Sequence, residues 1–254
     1  MSTEFLHSYL LDGKGGRSIL DAAGVAGWTP DAGLLWLHID VDNESARRWL
    51  EQDSGLPETV VDSLLAAETR PRSQINDAGS LIVLRGVNTN PGDDPEDMVS
   101  VRIWLEPGRI ISTRRRRLLS VQDIRAALHT AVGPSTPGEF LVELIGALAD
   151  RIGDFVNAIE DRIGEAEDLV DDGGNTTLRQ KTTALRRQIA AVRRFLAPQR
   201  DALDRLYRQP GGLFSDAESN GLREEADRMT RYLEDIDLAR ERLVVMQEEF
   251  LAQQ

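Results

Sequence analysis

Hydrophobic positions in this chain follow two rhythms, and the change between them falls near residue 133. Before it, apolar runs are short and bounded by turn residues; after it, they recur every three or four positions over long stretches. The clearest helical pattern is the last. Tyr232, Ile236, Ala239, Leu243, Met246 and Phe250 alternate steps of four and three, and Leu222, Ala226, Met229, Leu233 and Ile236 form an overlapping stripe. Ser215 with Glu218 makes a capping box at its start. A helix from Ser215 to Gln254 would be about 55 to 60 Å long at ~1.5 Å per residue. No Gly or Asn cap, no Pro and no closing Lys or Arg cluster follows Glu248, so the pattern predicts a helix cut off before its natural end.

Two more long helices are predicted upstream. Thr136-Pro137-Gly138-Glu139 joins a capping box to a Pro in the first turn, and Leu141, Leu144, Leu148, Ile152, Phe155, Ile159 and Ile163 continue as one stripe. Beyond Asp171-Asp172-Gly173-Gly174, Leu178, Leu185, Ile189, Val192, Leu196, Leu203 and Leu206 repeat the spacing, with Thr182 and Gln199 in polar slots. The short link predicts an antiparallel hairpin. Pro198 is expected to bend its second helix, and Gln209-Pro210-Gly211-Gly212 separates it from the last.

The first half reads as mixed strands and helices. Phe5 to Leu11, Gly33 to Asp40, Leu81 to Val87 and Met98 to Leu105 have strand length and composition, and Glu106-Pro107-Gly108-Arg109 turns the chain back into Ile110 to Thr113. Asn43 caps a helix over Glu44 to Gln52, Pro57 opens another through Leu65, and Ser120 is expected to cap a short one through Leu128. Asp12-Gly13-Lys14-Gly15-Gly16 lacks the Gly-Lys-Ser/Thr of a phosphate loop and reads as a turn. The expectation is an α+β fold: an N-terminal mixed β-sheet covered by helices over residues 1–133, a long helical hairpin over 134–212, and a C-terminal stalk helix over 213–254.

Composition narrows the function. With 254 residues, 41% hydrophobic and 29% charged, the chain is long enough for a substantial core. A formal charge of -13 argues against nucleic acid as a partner and for cations or a basic partner. The absence of Cys removes thiolate metal sites and suits a reducing compartment. No apolar run reaches the ~20 residues of a membrane span, so the chain as given is expected to be soluble.

Four carboxylates on the last helix, Asp227, Glu234, Glu241 and Glu248, stand seven residues apart and so lie near one line. Such a ladder is either a solvated outer face or, in a symmetric assembly, a set of acidic rings that attracts cations. His38, Asp40 and Asp42 alternate along one strand face if the strand runs that far, giving a candidate metal site of imidazole and carboxylate ligands. The run Arg114 to Arg117 alternates between both faces of a strand, which suits a solvated strand end or salt bridges between subunits, with anion or nucleic-acid binding as the alternative. Acids crowd the hairpin tip, Glu160, Asp161, Glu165, Glu167, Asp168, Asp171 and Asp172, where a solvated or weakly cation-binding surface is expected. His7, His38 and His129 are far apart in sequence, and no nucleophile with an orienting base is visible, so no catalytic residues and no enzyme activity are expected.

Several segments carry a family resemblance: Glu68-Thr69-Arg70-Pro71-Arg72, Leu84-Arg85-Gly86-Val87-Asn88, Asp97-Met98-Val99-Ser100-Val101-Arg102, Ser120-Val121-Gln122-Asp123-Ile124-Arg125 and Arg194-Phe195-Leu196-Ala197-Pro198-Gln199-Arg200. Together they resemble the cytoplasmic part of CorA-type divalent-metal transporters, and within them the zinc-transporting ZntB branch. The last helix is similar to the stalk that leads into the first membrane span. The resemblance implies a homopentamer on the cytoplasmic side of the inner membrane, its stalk helices lining a funnel. It also implies zinc or another divalent cation as cargo rather than as a tightly bound cofactor, and attachment to the membrane through C-terminal helices missing from this chain. The Gly-Met-Asn-type pore motif is also missing, so no selectivity residue is assigned. In that frame the acidic ladder is expected to face the lumen. The alternative is a soluble coiled-coil scaffold or interaction protein with no transport role.

Overall fold

The structure is a computed structural model that describes residues 4–67, 69–171, 176–209 and 212–252. Seven strands form one sheet: β1 His7–Leu11, β2 Arg17–Ile19, β3 Leu34–Asp40, β4 Arg72–Asn76, β5 Gly79–Gly86, β6 Val99–Glu106 and β7 Arg109–Arg114, in the order β2-β1-β3-β7-β6-β5-β4. Only β3 and β7 pair in parallel, so the sheet is mixed as expected. The helices are α1 Ala22–Ala26, α2 Glu44–Gln52, α3 Glu58–Leu65, α4 Leu119–His129, α5 Pro137–Asp171, α6 Thr176–Arg208 and α7 Asp216–Ala252. The architecture is α+β, with three long helices stacked on one face of the sheet.

Strand alternation explains the layering. Val101, Ile103 and Leu105 of β6 face the same apolar cluster as Ile82 and Leu84 of β5 and the buried residues of α4 and α5. Trp104 points the other way, joining Leu81, Ile39 and Ile111 against α2 and α3. The first cluster does not stop at the sheet. It runs on through Phe140, Leu144, Ile152 and Ile159 of α5, Leu185, Val192 and Leu203 of α6, and Met229, Ile236 and Leu243 of α7. Trp36 meets Phe140 edge-on with ring centroids 4.9 Å apart, tying β3 to the first turn of α5. Gly86 makes the approach of α5 possible, since a Cβ there would sit 2.5 Å from Leu148 Cδ2 and 2.9 Å from Leu118 Cδ1.

Local chemistry sets several boundaries. Asp12 Oδ1 accepts the backbone N–H groups of Lys14 and Gly16 at 2.8 and 2.9 Å, so the glycine-rich loop is a hairpin turn. Asn43 caps α2 by accepting from Ser45 and Ala46. Ser215 and Glu218 form the expected box at α7, Ser215 N–H to Glu218 at 2.6 Å and Glu218 N–H to Ser215 Oγ at 3.2 Å. At α5 the box is displaced: Thr136 Oγ1 takes the Glu139 N–H at 3.0 Å, but the Glu139 carboxylate reaches Ser135 N–H at 2.7 Å. Ser120 does not cap α4. Leu118 occupies that position without a side-chain bond, and Ser120 is buried. Helix α6 runs through Pro198 as one element. The Asp172-Gly173-Gly174 link, with Asp172 of the acidic tip, and the Pro210-Gly211 break lie outside the described residues.

Gln199, the polar slot of α6, is 1% exposed, and its Oε1 accepts the backbone N–H of Arg85 at 2.7 Å. Ser73 Oγ donates to Ala202 O at 2.8 Å. These two bonds anchor α6 across the β4–β5 edge of the sheet.

A candidate cation-attracting face on the last helix

Two flanks of α7 are occupied. Leu222, Ala226, Met229, Leu233, Ile236, Ala239, Leu243 and Met246 are all buried, packed with α5 and α6. The contact with α5 is close: a Cβ on Gly153 would lie 2.6 Å from the Tyr232 hydroxyl. Ion pairs fasten the edges of the seam, Arg228 to Asp150 at 2.6 Å, Arg242 to Glu167 at 2.5 Å and Arg193 to Asp237 at 2.6 Å. Each partner is at least a quarter exposed, so each pair contributes little to stability and acts mainly on register.

The third flank is open. Asp227, Glu234, Glu241 and Glu248 are all exposed, and none makes an ion pair or hydrogen bond to another described residue. At ~1.5 Å rise per residue, successive carboxylates are about 10 Å apart along the axis, and the line drifts by ~20° per heptad. That separation is near the Debye length of ~8 Å at physiological ionic strength, so repulsion along a single helix is largely screened. Arg231 stands in the same line between Asp227 and Glu234 and partly offsets the upper end. Over α7 as a whole, eleven acidic residues stand against five basic ones.

The open flank also contains what the sequence reading passed over. Leu238 and Val245 are 55% and 52% exposed and sit seven residues apart between the ladder carboxylates. With Met246 they floor a groove of ≈ 480 Å³, rimmed by Glu241, Glu249 and the Glu167–Arg242 pair. The signal was present: both fall outside the buried stripes, where a helix facing only water would carry polar residues.

His38, Asp40 and Asp42 are not brought together. His38 shares strand parity with Leu34 and Trp36 and is completely buried. Ser112 Oγ accepts from Trp36 Nε1 at 2.9 Å, donates to Leu37 O at 3.4 Å and shares a hydrogen bond of 2.8 Å with His38 Nδ1. Burial pushes the His38 pKa well below its usual value, with the charges of Arg114 and His7 adding to the effect. His7 stacks on it at 5.6 Å and is itself lowered to about 4, chiefly by burial. Asp40 ends the strand and accepts the Asp42 N–H at 3.1 Å, while the Asp42 carboxylate pairs with Arg115 at 2.5 Å. Among the described residues no group of three His, Cys, Asp or Glu side chains is placed to hold a metal. Two residues of the basic run form ion pairs within the chain, Arg115 with Asp42 and Arg116 with Asp97 at 2.6 Å.

A long acidic helix, open along one flank and packed on two helices that cover a mixed sheet, has counterparts among known proteins. The profile of the CorA-like Mg2+ transporter protein family matches residues 31–254. The chain belongs to that family. Among curated CorA-like relatives, the divalent cation transporter CmaX of Pseudomonas aeruginosa is 39% identical over 247 residues, covering 96% of this chain and 74% of that protein. The zinc transport protein ZntB of Yersinia enterocolitica is 32% identical over 247 residues, covering 97% of this chain and 74% of that protein. The full-length CmaX structure superposes with a TM-score of 0.90 at 35% identity, covering 98% of this chain and 77% of that one. The ZntB cytoplasmic domain from Vibrio parahaemolyticus gives 0.85 at 26%, covering 98% and 97%. The CorA magnesium transporter of Methanocaldococcus jannaschii shares the fold, with a TM-score of 0.81 at 15% identity. The resemblance read from the sequence is thus met by both ZntB and CmaX. No described helix is long and apolar enough to cross a membrane.

Proposed function

We propose that this CorA-like chain forms the cytoplasmic funnel of a homopentameric transporter for zinc or another divalent cation. In this reading it lies on the inner face of the plasma membrane, with the ion-selecting residues outside the chain. The observation that carries it is the open flank of α7, where Asp227, Glu234, Glu241 and Glu248 are exposed on the side that α5 and α6 leave uncovered.

Copies of α7 arranged around an axis with this flank inward would turn each carboxylate into a ring. Charge gathered in a narrow cavity focuses the field, and a potential of one kT per unit charge raises the local concentration of a divalent ion about sevenfold. Leu238 and Val245, between the rings, would then meet neighbouring helices instead of water.

The test is zinc accumulation by vesicles carrying the full-length transporter, with the four ladder acids replaced by Asn and Gln. The expected outcome is a several-fold fall in initial uptake that is largest at low ionic strength; unchanged uptake removes the ladder from the mechanism. A second reading, a soluble coiled-coil scaffold without transport, draws on the exposure of Leu238 and Val245. It predicts that Leu238→Lys with Val245→Lys abolishes assembly while no zinc flux is found in either protein.

A further inference from the structure

A second charged feature lies away from α7 and has the opposite sign. Between β5 and the middle of α6 is a cleft of ≈ 440 Å³ with mostly polar walls, lined by Thr69, Arg70, Arg85, Arg116, Arg194 and Phe195, with Asp97 at its edge. Four of the five segments that carry the sequence resemblance contribute to it. Four guanidinium groups against one carboxylate make this a concentrated positive site in a chain whose formal charge is -13.

Two of the arginines are held as parts of the fold. Arg85 donates to Thr69 O at 2.9 and 3.1 Å and to Met98 O at 2.6 Å, and lies 4.1 Å over the Phe195 ring. Arg116 pairs with Asp97 at 2.6 Å, and that bond holds the Asp97 carboxyl below its ordinary range. A structural role accounts for both. It does not account for Arg70 and Arg194, which are exposed and form no ion pair with a described residue, although Arg194 sits 5.5 Å from the Phe195 centroid. Nor does it account for Thr69, which is 5% exposed and whose Oγ1 is buried without a hydrogen-bond partner among the described residues. Buried hydroxyls are nearly always bonded, so an unsatisfied one on the wall of an arginine-lined cleft points to a missing acceptor.

We propose that this cleft binds a soluble oligophosphate, with Arg70 and Arg194 gripping its oxygens, Arg85 and Arg116 supplying fixed positive charge, and the Thr69 hydroxyl donating to it. Guanidinium forks match phosphate oxygens in geometry, and several of them in one cleft call for a ligand with more than one negative charge. The space is far larger than a single water-sized ion requires and falls within the usual range for small-molecule sites. Its apolar surface is small and Arg85 stacks on the Phe195 ring, so the phosphate chain, rather than an attached base or acyl group, is the part recognised.

Calorimetric titration of the whole chain with inorganic triphosphate, pyrophosphate and orthophosphate at ~0.1 M salt tests this. Affinity should fall in that order. Arg70→Glu with Arg194→Glu should weaken triphosphate binding by about a hundredfold, roughly tenfold for each charge-assisted contact. Thr69→Val, which keeps shape and charge, should weaken it by about five- to tenfold. Arg231→Glu on α7 makes the same single charge change at an exposed position outside the lining of the cleft and should leave binding within about twofold, because the field of an exposed charge is screened by salt. Equal losses from Arg231→Glu and Arg70→Glu, or no triphosphate binding at this salt, overturn the assignment. Binding to vesicles with phosphorylated headgroups but not to soluble triphosphate overturns it too, since the site would then serve a lipid.

Discussion

Buried imidazoles should make this fold sensitive to mild acid, and His38 is the residue through which that is best measured. His38 is completely buried, hydrogen-bonds Ser112 and is kept neutral by burial and by Arg114 and His7, so its folded pKa lies well below the ordinary value of about 6.5. Below pH 6.5 the unfolded chain takes up a proton at this position and the folded chain does not, so stability is lost as pH falls. The slope is about 1.4 kcal/mol per pH unit for one such histidine, or about 2 kcal/mol between pH 6.5 and 5. His7, lowered to about 4, acts with the same sign over the same window. Carboxylates held low by arginine, Asp97 and Asp237, begin to contribute only below about pH 4. Glu143, raised to about 7 chiefly by burial, has the opposite sign, since the folded state gains its proton first and is stabilised as pH falls from 7. The perturbation is therefore His38→Gln, because terms common to both proteins cancel in the difference. Urea unfolding followed by tryptophan fluorescence at pH 7, 6 and 5 should find the variant less stable at pH 7, with the gap narrowing by about 2 kcal/mol at pH 5. Parallel stability curves for the two proteins would refute the reasoning, since they would show that His38 titrates alike in the folded and unfolded chains.

Other perturbations follow from the packing. Gly86→Ala puts a methyl into Leu148 and Leu118, and overpacking of this kind should cost about 1 to 3 kcal/mol in urea unfolding. Gln199→Leu strips the acceptor from the Arg85 N–H and should cost about 1 to 3 kcal/mol, whereas Gln199→Glu, which keeps an acceptor at that position, should retain part of it. Ile236→Ala empties a fully buried position where α7 meets its neighbours and should cost about 2 to 5 kcal/mol by the same assay. Asp237→Asn removes the pairing with Arg193 at the seam edge, where the groups are more than a third exposed, and should change stability by less than about 1 kcal/mol.

The long helices were legible because their stripes repeat over many turns and their caps are local. Ser215 and Glu218 sit three residues apart and bond as that spacing predicts. Strand β4 was not legible: Arg-Ser-Gln-Ile-Asn has one apolar residue, and what makes it a strand is pairing with β5 and the bond from Ser73 to Ala202 of α6. His38 was misread although a signal was available. It stands two and four positions from Trp36 and Leu34, so the face that would have offered it to a metal is the face the sheet buries. A polar residue on the parity of the most apolar ones is better explained by an internal partner, here Ser112, than by a ligand. The same principle separates the two charged features. The ladder lies along one helix, so its spacing alone places all four carboxylates on a common line. The arginine cleft draws on a loop, two strand ends and a helix, and only the closure of the sheet against α6 puts Arg70, Arg85, Arg116 and Arg194 side by side. Like charges brought together by folding repel, and the fold answers with fixed carbonyl and aromatic contacts for Arg85 and a carboxylate for Arg116. Arg70 and Arg194 receive no carbonyl or carboxylate from the described residues, Arg194 having only the Phe195 ring at 5.5 Å, and that difference, rather than the number of arginines, is what singles out the cleft as a place for a ligand.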